Sequence, residues 1–103
     1  MAAAGIRATK LDDDALARFL EAQGKLVRLG GGHVVGAAAY EQAKSVMLDE
    51  CRSAGEITIA RFRDLLGIGR RDAQLLLERF DQDGLTRRDG DRRVLRRSAS
   101  SVR

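Results

Sequence analysis

Six arginines crowd the stretch LTRRDGDRRVLRR, Leu85 to Arg97, against only two aspartates, Asp89 and Asp91. A guanidinium is always charged, offers a planar fork of N–H donors that matches phosphate or a guanine edge, and stacks on bases. Arg87 and Arg88 precede an Asp89-Gly90-Asp91 turn signal, and Arg92 and Arg93 follow it. In a hairpin these four become opposite or diagonal neighbours, and like charges so placed repel unless an anion neutralises them. Asp89 and Asp91 can offset only part of that charge. A second pair, Arg70-Arg71, opens a helical pattern, where positive charge works against the helix dipole and Asp72 compensates in part. Free N–H groups with two guanidinium groups make a phosphate-binding corner. The residues expected to bind are therefore Arg70, Arg71, Arg87, Arg88, Arg92 and Arg93, gathered on one face, and the partner expected is a polyanion.

The distribution of charge points the same way. The net charge is +4. Residues 1–56 carry seven Lys/Arg against eight Asp/Glu, residues 57–84 five of each, and residues 85–103 seven Arg against two Asp. A genome rich in GC accounts for arginine over lysine, but not for gathering it at one end. An asymmetry of this kind marks a polyanion-binding segment. Neutralising about four to six phosphates would make log K fall with log[salt] at a slope of roughly −3 to −5.

Other chemistries have little to build on. Cys51 is the only cysteine and His33 the only histidine, which leaves no disulfide, thiolate cluster, histidine metal site or Ser/His/Asp triad. Cys51 reads as a half-buried helix thiol. Asp12-Asp13-Asp14 read as a helix cap, and Asp81 and Asp83 flank a turn, so no carboxylate pair is set for acid–base work. Gly30-Gly31-Gly32 lacks the Lys-Ser/Thr of a P-loop and is better read as a hairpin turn. No catalytic function and no cofactor are expected. No run approaches the about 20 apolar residues of a membrane span, so no membrane partner is expected either.

Helices and a ribbon must position the arginines. Asp12–Asp14 precede a short helix with Leu16, Phe19 and Leu20 on one apolar face, and Gly24 stops it. Lys25–Leu29, the triglycine and His33–Val35 form a hairpin. Tyr40, Ala43, Met47 and Cys51 stripe a helix from Ala37 to about Ser53. Glu56–Ile59 is too short for a full strand but could pair at a sheet edge. Phe62, Leu65 and Leu66 face inward from a helix over Ala60–Leu66, and Ala73, Leu76, Leu77 and Phe80 from one over Arg70–Phe80. The arginine hairpin follows. Three helices with a trailing β-hairpin predict an α+β, mainly helical, winged-helix domain: a helix-turn-helix plus a wing. An internal echo at an offset of 60, with Gly24 matching Gly84 and Val34 matching Val94, predicts that the chain begins with the last helix and wing of another such unit. The expected divisions are 1–36, a partial unit whose wing is mostly structural; 37–97, the complete domain; and 98–103, a flexible tail.

The stretch Gly55 to Leu95, GEITIARFRDLLGIGRRDAQLLLERFDQDGLTRRDGDRRVL, resembles the last winged-helix domain of SelB, the bacterial selenocysteine-specific elongation factor. The resemblance rests on Glu56-Ile57-Thr58, Phe62–Gly67, Arg70-Arg71, Leu76–Glu78, Phe80-Asp81, Thr86–Arg88, Gly90-Asp91 and Arg93–Leu95. Asp14 to Val35 similarly looks like the end of the preceding domain. The resemblance implies binding of a selenocysteine insertion (SECIS) hairpin in mRNA for UGA recoding, with Arg70, Arg71, Arg87, Arg88, Arg92 and Arg93 in contact and Gly69 admitting the RNA backbone. Gly69 departs from the Ser or Thr usual there, which removes a hydroxyl cap. The resemblance also implies a cytoplasmic factor whose GTPase domain lies outside these residues, with the ribosome and selenocysteinyl-tRNA as partners of the full-length factor. A monomer is expected, since no dimerisation element is evident. A DNA-binding winged-helix transcriptional regulator uses the same scaffold, and a protein-interaction winged helix is the third reading.

Overall fold

The computed structural model describes residues 6–96. The tail expected at 98–103 lies outside the described residues.

Each helix is set by local chemistry. Helix α1, Asp14–Ala22, starts where the Asp13 carboxylate accepts the Leu16 N–H at 3.0 Å. Helix α2, Ala37–Ala54, buries Tyr40, Ala43, Met47 and Cys51. Helix α3, Ile59–Leu66, is capped by Thr58, whose hydroxyl accepts the Arg61 N–H at 3.1 Å. Gly67, at φ 67°, then turns the chain into helix α4, Arg70–Gln82, a left-handed conformation that favours glycine. Helix α4 buries Ala73, Leu76, Leu77 and Phe80. Its first turn has no side-chain cap, because Gly69 stands at the N-cap position.

Strand β4, Ile57–Thr58, β5, Thr86–Asp89, and β6, Arg92–Leu95, form an antiparallel sheet in the order β4-β6-β5, with Gly90 at φ 66° in the hairpin turn. Helices α2, α3 and α4 with this sheet make the winged-helix arrangement. Phe80 lies at its centre, with Tyr40 at 5.4 Å and Phe62 edge-on at 5.9 Å between ring centroids.

The N-terminal part repeats the sheet. Strand β1, Thr9–Lys10, β2, Leu26–Arg28, and β3, His33–Gly36, pair antiparallel in the order β1-β3-β2, and the triglycine turns the chain between β2 and β3 with Gly31 at φ 67° and Gly32 at φ 79°. Strand β1 is two residues long, and Thr9-Lys10 carries no apolar alternation to mark it in the sequence. It holds the same place beside β3 that β4 holds beside β6. Only three residues join β1 to α1, whereas α3 intervenes between β4 and α4. The N-terminal unit therefore has no counterpart of α3, and the apolar face of α1 stays uncovered: Leu16 is 42% and Phe19 57% exposed, and Ala17 is the residue α1 buries.

Both parts share one continuous core. Ile6, Ala8, Leu29 and Val35 cluster with the buried residues of α2, α3 and α4. Two polar ties lock the joint: the Ala8 N–H donates to the Asp72 carboxylate at 3.3 Å, and the Arg79 guanidinium to the Arg28 carbonyl at 2.6 Å.

Candidate nucleic-acid interface

Strand alternation divides the wing arginines between two faces. Thr86 pairs with Leu95 and Arg88 with Arg93, and these four share the face turned to the helices. Arg87 pairs with Val94 and Asp89 with Arg92, on the opposite face. Thr86 and Arg93 are buried, at 1% and 3% exposure. One Asp81 oxygen accepts the Thr86 hydroxyl at 2.6 Å, and the other accepts the Arg93 guanidinium at 3.1 Å.

That geometry buries Arg93 beneath the wing, although it also borders the groove that Arg70 and Arg88 border. Arg93 is an internal tie between the wing and the end of α4. Its charge is matched by Asp81, and no buried side-chain polar atom among the described residues lacks a partner.

Arg88, one step further out on the same face, reaches past the core. It borders a groove of about 340 Å³ that Arg70 borders from the head of α4. Thr58, Ile59 and Ala60, where α3 begins, form a third side, and Gly90 and Asp91 the rim at the wing tip. Arg70 has no hydrogen-bond or ion-pair partner among the described residues, and Arg88 has only the Gly90 carbonyl, at 3.3 Å from Nε. Three guanidinium groups thus line one concavity, Arg93 paired with Asp81 and Arg70 and Arg88 without a carboxylate partner, which favours an anion between the latter two. Nothing stands within 4 Å of where a Cβ on Gly69 would lie, so the backbone at the head of α4 is open to approach.

The remaining expected residues surround this groove or turn from it. Arg71 is exposed and holds Asp72 at 3.3 Å. Arg87 is exposed on the outer face without a partner among the described residues. Arg92 lies between Glu56, at 2.6 Å, and Asp89, at 3.5 Å. The head of α3 was not singled out from sequence, because nothing in Thr58-Ile59-Ala60 is charged. The only available signal was the capping threonine, whose helix start exposes N–H groups.

The N-terminal unit has a comparable crevice between α1 and its own hairpin, bordered by Arg28, His33 and Asp14. There the cation is already matched, with Arg28 and Arg18 both on Asp14 at 2.7 and 2.9 Å. Those arginines hold the Asp14 carboxyl below the usual carboxylate range, the Arg28 hydrogen bond contributing most. The arginine in this crevice thus has a carboxylate partner, whereas Arg70 and Arg88 at the second wing have none among the described residues.

The family model described as elongation factor SelB, winged helix, matches residues 49–95. The mRNA-binding domain of elongation factor SelB from E. coli, solved in complex with SECIS RNA, superposes with a TM-score of 0.73 at 30% sequence identity, over 80% of this chain and 68% of that one. The chain belongs to the SelB family. No curated protein sequence matches it. The superposition covers more of the chain than residues 37–97 could supply alone, so the likeness to SelB extends into the N-terminal unit. The winged-helix reading and the resemblance to SelB both hold, with four α-helices and two small antiparallel sheets among the described residues.

Proposed function

We propose that this chain is the mRNA-binding part of a selenocysteine-specific elongation factor and grips a SECIS hairpin in the groove between the head of α4 and the wing. The observation that carries the reading is the pairing of Arg70 and Arg88 across one concavity without a carboxylate partner, in a chain similar to a SelB domain solved with SECIS RNA. Arg70 and Arg88 take backbone phosphates or a base edge within the groove. Arg71, Arg87 and Arg92 add charge around it, and Gly69 leaves room for the RNA backbone. Arg93 positions the wing through Asp81 rather than touching RNA.

The role is binding, not catalysis. In the full-length factor, GTP hydrolysis, selenocysteinyl-tRNA and ribosome contacts belong to other domains, and the setting is the cytoplasm. We take residues 1–36 as a partial unit, 37–97 as the complete RNA-binding domain, and the chain as a monomer.

The experiment is an anisotropy titration of the full chain against an RNA stem-loop and a duplex DNA of equal length, each at low and raised salt. Preference for the stem-loop is expected. A clear preference for duplex DNA would replace this reading with that of a DNA-binding regulator, and absence of binding at low salt would leave a protein-interaction module.

A further inference from the structure

The wing carries its charge unevenly between its two faces. On the outer face, Arg87 and Arg92 stand with Asp89. A further carboxylate reaches that face from the neighbouring strand: Glu56, the residue before β4, accepts a hydrogen bond from the Arg92 guanidinium at 2.6 Å. Asp89 holds the same guanidinium at 3.5 Å. Strand register fixes this arrangement. Ile57 pairs with Arg93 and Thr58 with Arg92, and Ile57 is buried, so Glu56 is held one diagonal step along the sheet from Arg92. Glu50 borders the same crevice as Glu56 but is taken by Arg61 at 3.0 Å. Two cations thus meet two carboxylates on the outer face, whereas Arg70 and Arg88 line the groove without a carboxylate partner among the described residues. The Arg92–Glu56 pair is open to water, with the arginine side chain 49% and the glutamate 40% exposed. Such a pair adds little to folding stability, yet a phosphate approaching Arg92 must displace Glu56 and pass two negative charges.

We propose that Glu56 is a specificity-determining residue: it sets how much of the Arg92 charge a polyanion meets, and so keeps the wing from gripping any phosphate backbone indiscriminately. The proposal rests on the reading of the groove as an RNA site, to which it adds a selection against other polyanions. Selectivity is a difference of affinities, and a repulsive element against the wrong partner widens it just as a new contact to the right one does. A ligand seated in the groove gains Arg70 and Arg88, which no carboxylate guards. A ligand that meets only the outer face of the wing, such as a duplex with no loop to enter the groove, gains Arg87 alone unless it displaces the carboxylates from Arg92. Charges at the rim of a site act on encounter and salt dependence more than on the tight contacts within it.

The test uses the full chain with an RNA stem-loop and a duplex DNA of equal length, each titrated at several salt concentrations. Wild type, Glu56→Gln, Arg92→Ala, Glu56→Gln/Arg92→Ala and Arg70→Ala/Arg88→Ala are compared. Glu56→Gln should bind the duplex about threefold to fivefold more tightly at low salt, with a log K against log[salt] slope steeper by about 1, and should change stem-loop binding less. With Arg92→Ala already present, Glu56→Gln should give little of that gain. The melting temperature of Glu56→Gln should match wild type, and a fall of several degrees would make Glu56 a structural residue instead. Wild-type duplex affinity and slope in Glu56→Gln overturn the proposal. So does an equal gain with and without Arg92, which would make Glu56 one negative charge among others, and so does an equal gain on both nucleic acids, which would leave selectivity untouched. The groove reading is judged separately: wild-type stem-loop binding by Arg70→Ala/Arg88→Ala sinks it, while the effect of Glu56 on the duplex is read without the groove.

Discussion

Arg93 and Asp81 form an ion pair at 3.1 Å beneath the wing, with the arginine side chain 3% and the aspartate 27% exposed. The pair links β6 to the last turn of α4, and the Thr86 hydroxyl completes the carboxylate's bonding from β5. Arg93→Ala removes a buried cation and leaves Asp81 with one partner fewer, at a cost of about 2–3 kcal/mol. Thermal or urea unfolding measures it. A variant as stable as wild type would return Arg93 to the surface and to the list of RNA contacts.

Arg70 and Arg88 are exposed and tied to no carboxylate, so their removal should act on binding and not on folding. Arg70→Ala and Arg88→Ala each weaken RNA stem-loop binding by about 1–3 kcal/mol where the side chain meets a base edge, and lower the salt slope by about 1 where it meets a phosphate. Arg71→Ala should cost less, since a phosphate gains that cation only by taking it from Asp72. Wild-type affinity in both Arg70→Ala and Arg88→Ala would refute the groove as the site.

Burial pushes the Cys51 thiol up to about 11, with Glu50 and Glu56 adding to the effect. Only the thiolate is nucleophilic. From the ordinary value of 9.0 to about 11 the thiolate fraction at pH 8 falls about a hundredfold. Native protein should react with iodoacetamide at least that much more slowly than unfolded protein. The shift is upward on folding, so its contribution to stability is complete below pH 9 and is lost as the pH rises towards 11. Equal alkylation rates in native and unfolded chain would place Cys51 outside the core.

Two phenylalanines of like size should behave in opposite ways. Phe62→Ala opens a cavity in a fully buried site and costs about 3–5 kcal/mol. Phe19→Ser changes a side chain that is 57% exposed and should alter stability by no more than about 0.5 kcal/mol. Denaturant midpoints of the two variants decide it. A large loss in Phe19→Ser would mean that something covers α1 in solution.

Much of this fold is legible in the sequence because its helices obey a single period. The stripe Tyr40, Ala43, Met47, Cys51 and the stripe Ala73, Leu76, Leu77, Phe80 are the residues α2 and α4 bury. The hairpin also follows from its turn residues. The burial of Arg93 is hard to see in the sequence because its core-side companions are Thr86 and Leu95, and a polar–charged–apolar alternation hides which face is inward. Leu95, two residues on and packed against the core, was the available signal. The uncovered face of α1 was misleading in another way. Leu16 and Phe19 have helical spacing, yet the helix that would cover them is missing between β1 and α1, and spacing within one helix cannot report on the presence of another. The head of α3 escaped notice because backbone N–H groups carry no mark in the residue types.

In the proposed site, Arg70 and Arg88 hold one anionic backbone between them. Its most direct test is the salt dependence of stem-loop binding by wild type and by Arg70→Ala/Arg88→Ala. A wild-type slope of roughly −3 to −5, made shallower by about 2 in the double variant with its melting temperature unchanged, is the expected result. A double variant with the wild-type slope and affinity would contradict it.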